Sequence, residues 1–117
     1  MMSRNSFAGL STCEENTGVR ADIAIIGIPH GISYSPDAPS HSVKAPMAIR
    51  KAAKRYAEMI DHYDFDLGGP LLGNRDIRVV DCGDVPGTRS DPMGNQRRSQ
   101  DKIRAIIDDG TVPMVLG

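Results

Sequence analysis

Two carboxylates, Asp81 and Asp84, stand in the run Val79-Val80-Asp81-Cys82-Gly83-Asp84. A strand ending this way presents its carboxylates at the carboxyl edge of a parallel sheet, where open α/β proteins bind ligands. They could contact a metal or substrate there, or cap the next turn by accepting backbone N–H groups. Two carboxylates without a nearby histidine make a poor transition-metal site, so turn capping is the expected role. A second set, His62-x-Asp64-x-Asp66, alternates. In an extended conformation its three side chains would share one face, as a metal requires. It directly follows a helical pattern and abuts Gly68-Gly69-Pro70, which favours a solvated surface loop. The third set is His30, Ser33, Tyr34, Ser35, Asp37 and His41, all within residues 28–45. A Ser–His pair for acyl transfer can be drawn from it, but there is no strained nucleophile elbow, and exposed histidines are the expectation. Gly27-Ile28-Pro29-His30-Gly31 lacks the glycine spacing of a dinucleotide loop, and Pro29 removes a backbone donor. Nucleotide binding is therefore not expected.

The elements that must hold these groups follow from periodicity. Residues 1–21 are polar and aperiodic and predict a loose leader, with order beginning at Asp22. Ile23-Ala24-Ile25-Ile26-Gly27 reads as a strand buried on both faces. Pro46 opens a helix whose stripe is Ile49, Ala52, Ala53, Tyr56 and Ile60, with Arg50, Lys51, Lys54, Arg55 and Glu58 on the other faces. Residues 61–74 are irregular, with a short extended piece near 64–67. Residues 77–83 predict the second strand. Asp91-Pro92 is an N-cap and first-turn proline for a helix running to about Asp109. Ile103, Ile106 and Ile107 form its expected inward face, and residues 95–102 its solvated part. Gly110 stops it, and residues 111–116 read as a third, buried strand. Strand, helix, strand, helix, strand means α/β: a parallel sheet with flanking helices.

At 117 residues the chain is one domain at most, and 39% hydrophobic with 25% charged residues excludes a disordered tail. A net charge of −1 provides no field for nucleic acid or an anionic membrane. No apolar run is long enough to span a bilayer, and residues 1–18 contain no signal core. Cys13 and Cys82 lack any paired-thiolate spacing, so a reduced, cytoplasmic protein is expected, with Cys82 buried and Cys13 in the leader.

Four segments, in order, resemble the N-terminal part of the ureohydrolase superfamily, which includes arginase, agmatinase, formiminoglutamase and guanidinobutyrase. They are Ile25-Ile26-Gly27-Ile28-Pro29, Ala45-Pro46-Met47-Ala48-Ile49-Arg50, Val80-Asp81-Cys82-Gly83-Asp84-Val85 and Val112-Pro113-Met114-Val115-Leu116-Gly117. The third is typical of the agmatinase branch. Ala45 replaces the family's usual glycine. Residues 28–45 carry Pro36, Pro39, His41 and Lys44, where many agmatinases have an Arg- and Gly-rich stretch. In the family this loop borders the active-site mouth, which makes His30, Ser33 and His41 candidate substrate contacts.

The resemblance implies the first β-α-β-α-β part of an arginase-like three-layer α/β/α fold over residues 22–117, truncated at its third strand. It implies a Mn²⁺-dependent hydrolase in which two ions lower the pKa of a bridging water that attacks a guanidinium carbon. The products are an amine and urea; agmatine is the expected substrate, and a homo-oligomer the expected assembly at full length. The family's metal ligands lie in Gly-Gly-Asp-His-Ser, Asp-Ala-His-x-Asp and Ser-x-Asp-x-Asp, none of which occurs here. Asp81 and Asp84 match a family strand but not its ligands. The expectation is therefore no catalytic residue, no metal and no activity in this chain alone, with residues 111–116 left as an exposed apolar edge. A different class, a small non-catalytic binding or subunit-interaction module, would unfold in one sharp transition.

Overall fold

Three parallel strands form the centre of the computed structural model, which describes residues 5–14, 20–35, 37–74 and 76–117. The elements are β1 (Ile23–Gly27), α1 (Ala45–Ala53), β2 (Tyr63–Asp64), β3 (Gly69–Pro70), β4 (Val79–Asp84), α2 (Pro92–Asp108) and β5 (Val112–Leu116). The main sheet has the order β4-β1-β5. Ile23 lies opposite both Val79 and Val112, so the three strands run in step. The α/β arrangement with flanking helices is as the residue pattern predicts.

Alternation along β1 divides the core into two. Ala24 and Ile26 point to one face, where they pack with Ala21, Val80 and Ile106 of α2. Ile25 points to the other and packs with Leu10, Leu72 and Leu116. A central strand flanked on both sides must be apolar at every position, and Ala24 to Gly27 are all buried.

Both ends of α2 form as expected. Asp91 Oδ1 accepts the Gly94 N–H at 3.0 Å. Gly110, at φ 78°, ends the helix in the left-handed conformation that glycine adopts without a Cβ penalty. The inward face of α2 differs from the expected one. Ile106 is buried, but Ile107 is 55% exposed, and Asn95 and Ser99, placed in a solvated stretch, are buried. Asn95 can be buried because its amide is satisfied: Nδ2 donates to Thr88 O at 2.7 Å, and Oδ1 accepts from Thr88 N at 3.0 Å. Ser99 Oγ donates to Asn95 O at 2.8 Å.

Three further expectations are corrected. The buried face of α1 is Pro46, Arg50 and Ala53, whereas Ile49 and Tyr56 of the apolar stripe are exposed. Residues 5–14 are not loose. Ser6, Ala8 and Leu10 are buried, Thr12 bridges to Asp81, and Asp81 N donates to Ser11 O at 2.9 Å. Leu10 completes the cluster around Ile25, which the polar average of the segment conceals. Cys13 and Cys82 are not separate reduced thiols but are joined as a disulfide, Cα–Cα 5.0 Å. The rest of the 1–21 segment, residues 1–4 and 15–19, lies outside the described residues, apart from Arg20 and Ala21.

β5 pairs with β1 alone among the described residues, and its Val112, Met114 and Val115 are exposed, as expected of an apolar edge rather than a fully buried strand.

Candidate functional site

The carboxyl end of β4 meets the first turns of α1 at a closely packed charged cluster. Gly27, at the end of β1, permits the approach: a Cβ there would overlap Asp84 Oδ1 and stand 2.8 Å from Pro46 Cβ. With Pro46 seated against β1, Arg50 one turn later faces the end of β4. Its Nε donates to Asp81 Oδ2 at 2.9 Å and its Nη2 to Asp81 Oδ1 at 3.0 Å, a two-pronged pair. Its Nη1 reaches Asp84 Oδ1 at 2.5 Å. Arg50 and Asp81 are both buried, while the Asp84 side chain is 39% exposed.

Asp81 also accepts the Phe7 N–H at 2.7 Å and the Gly83 N–H at 2.9 Å. Four donors thus fill the four acceptor positions of one carboxylate. Burial opposes the charge on Arg50, but the hydrogen bonds and negative charges of Asp81 and Asp84 outweigh it. The guanidinium is held above its ordinary pKa and stays ionised.

In this structure the β4 carboxylates make two kinds of contact. Turn capping is present in the Gly83 contact, but the larger part, the clamp by Arg50, is not visible in β4 itself. The signal that could have found it is helical spacing. Arg50 follows Pro46 by four residues and precedes Ala53 by three, which places a cation on the buried face.

His30 Nε2 lies 2.7 Å from Val85 O, tying the loop after β1 to the end of β4. His30 borders a hollow of about 530 Å³ that includes Ile28, Met93 and Ile103. Ser33 is outside that hollow and donates to Ser35 O at 2.5 Å. His41 packs edge-on against Tyr34, ring centroids 5.3 Å apart. The structure therefore places His30 at the edge of the sheet, with Ser33 and His41 directed elsewhere in the loop, and no Ser–His pair forms among the described residues.

The His62, Asp64 and Asp66 set does not share a strand face. β2 is only two residues long, and Asp64 Oδ1 accepts the N–H groups of Asp66 and Leu67 at 2.9 and 3.0 Å in the turn before β3. It is a surface turn.

The sequence matches the arginase family over residues 21–117, and the chain belongs to that family. Among solved structures, the crystal structure of a hypothetical agmatinase from Burkholderia thailandensis matches with a TM-score of 0.72 and 20% identity, covering 95% of this chain and 33% of that one. That likeness extends the family match to the fold, and this chain spans about a third of the length of that protein. No curated protein sequence matches the chain.

Manganese is the metal this family implies, and the residues present do not fit it. The acceptor positions of Asp81 are filled by Arg50, Phe7 and Gly83, and Asp84 is held by the same guanidinium. Among the described residues, no three His, Cys, Asp or Glu side chains group as metal ligands would. The cluster can instead fix the angle at which α1 and residues 5–14 meet the edge of the sheet.

The two carboxylates should respond differently to neutralisation. Asp84→Asn is expected to shift the urea-unfolding free energy by no more than about 1 kcal/mol, because Asp84 is part-exposed and screened. A shift several times larger would show that Asp84 carries the clamp.

Proposed function

We propose that residues 22–117 are the first part of the α/β domain of an agmatinase-like ureohydrolase. In that enzyme class a guanidino compound, here agmatine, is hydrolysed to an amine and urea with two Mn²⁺ ions. These 117 residues supply scaffold and no metal ligand, and alone they are inactive. The observation that carries this reading is the Arg50 clamp, which commits Asp81 and Asp84 at the sheet edge to holding α1 in place. The family match over residues 21–117 supports the ureohydrolase class. The run Val80-Asp81-Cys82-Gly83-Asp84-Val85 supports the agmatinase branch, and the likeness to a hypothetical agmatinase supports the fold. The further parts of the proposal are a cytoplasmic location, homo-oligomerisation of the full-length enzyme, no nucleic-acid or membrane partner, and His30, with Ser33 and His41 in the same loop, at the substrate mouth. No helix among the described residues is long and apolar enough to cross a membrane.

Two measurements test it. The purified chain, supplied with Mn²⁺ and agmatine, should release no urea above a protein-free control; turnover would end the claim of inactivity. Reading the coding DNA beyond the Gly117 codon is the second: Gly-Asp-His-Ser or a close variant there would restore the enzyme. An unrelated continuation would remove the enzyme from the proposal.

A second reading, a non-catalytic subunit-interaction module, is favoured by the exposed Val112, Met114 and Val115 on β5. A single sharp thermal transition of a soluble sample would support it. A molten or aggregated sample would favour the enzyme-fragment reading.

A further inference from the structure

The geometry points to a redox latch in which Cys13 and Cys82 exchange with an anionic small-molecule disulfide and thereby fasten or release residues 5–14 at the Arg50–Asp81 clamp. Cys82 follows Asp81 directly, and its Cα lies 5.0 Å from that of Cys13, within the roughly 4.4–6.8 Å that a disulfide spans. The two cysteines are 69 residues apart in sequence, so the bond joins two otherwise distant pieces of chain.

What the bond fastens is specific. Residues 5–14 already lie along β4: Asp81 N donates to Ser11 O at 2.9 Å, Cys13 N to Asp81 O at 3.2 Å, and Phe7 N to Asp81 Oδ2 at 2.7 Å. The same carboxylate receives Arg50. A covalent tie at Cys13 therefore acts on the backbone around Asp81, which couples residues 5–14, α1 and β4.

The bond is also open to chemistry. Both cysteines are half-buried and line a cavity of about 210 Å³ with Arg20, Lys102 and Asp109. The two cations outnumber the one carboxylate. Arg20 and Lys102 at this cavity can draw in an anionic disulfide. In a reducing compartment such a bond is transient and serves sensing rather than permanent cross-linking.

The exchange balances with oxidised glutathione as the electron acceptor. One cysteine thiolate attacks a glutathione sulfur, forming a mixed disulfide and releasing one glutathione thiolate. The second cysteine thiolate attacks the protein-side sulfur, closes the Cys13–Cys82 bond and releases the second glutathione. Two electrons pass from the cysteines to the glutathione pair, and the two protons lost by the thiols end on the glutathiones.

The test uses the whole 117-residue chain, equilibrated in buffers of varied oxidised-to-reduced glutathione ratio, alkylated under denaturing conditions and weighed by mass spectrometry. The expected result is a passage from two alkylated thiols to none, with a loss of two hydrogens. Two alkylated thiols at every ratio, or a persistent glutathione adduct, would overturn the proposal. Hydrogen exchange then reads the latch in the wild type. The peptide covering residues 5–14 should exchange about tenfold or more slowly when oxidised, the size typical of a cross-link. Equal exchange in both states would defeat the latch. Cys13→Ser should abolish the difference between the two buffers, and a difference that survives would assign it to something else.

Discussion

Arg50→Met is expected to destabilise the chain by about 3–5 kcal/mol, because it leaves the Asp81 carboxylate buried without its counter-charge. Asp81 is 3% exposed, and water cannot replace the two guanidinium bonds without opening the packing of α1. Small domains have about 5–15 kcal/mol of stability in total, so the variant should unfold at a much lower urea concentration and lose cooperativity. Arg50→Lys should recover only part of the loss, since an ammonium cannot present the two-pronged fork. Combining Arg50→Met with Asp81→Asn should recover some of it by removing the stranded charge. A urea midpoint for Arg50→Met within error of the wild type would show that the clamp is incidental. The pH behaviour of Arg50 has a definite sign. Its folded pKa is raised, so its contribution is complete below the already very high unfolded value and lost only as pH climbs through the still higher folded one. The Arg50→Met difference should therefore show no Arg50-linked decline across neutral pH.

Ile26→Ala is expected to cost about 2–5 kcal/mol through lost burial and the cavity it leaves. Ile26 is completely buried at the centre of β1, packed with Ala21, Ala24, Val80 and Ile106. Ile107→Ala, an identical deletion, should change stability by no more than about 0.5 kcal/mol, since Ile107 is half in solvent. Periodicity alone makes both residues inward-facing, so the contrast between the two variants tests the structure rather than the pattern. Chemical denaturation of both proteins, followed by far-UV circular dichroism, gives the comparison. Similar losses at the two sites would mean that α2 sits on the sheet in a different rotation.

The local order was legible because local chemistry sets it. The apolar run 23–27 requires a covered strand, Asp91-Pro92 satisfies and starts a helix, and Gly110 ends it in a conformation that residues with a Cβ resist. The ordered motifs around Gly27, Pro46 and Asp81 were also sufficient to indicate the family to which the chain belongs.

Helix rotation and long-range pairing were not legible. The stripe Ile49-Ala52-Ala53-Tyr56-Ile60 is a valid amphipathic pattern, yet α1 turns Arg50 inward because two carboxylates from a strand 31 and 34 residues away need a counter-charge. Asn95 reads as solvated until the loop at Thr88 meets its amide, and Ser99 until its hydroxyl turns back onto Asn95 O. Cys13 and Cys82 carry no spacing signal, since their proximity arises only when residues 5–14 lie along β4. The sequence by itself determined which segments become strands and helices, where α2 begins and ends, and the family. The tertiary structure alone decided that Asp81 and Asp84 are held by Arg50 and that Ala8 and Leu10 of the polar stretch 5–14 are part of the core. The reason is physical: propensity and capping act over a few residues, whereas a buried charge is tolerated only where distant parts of the chain bring its partner.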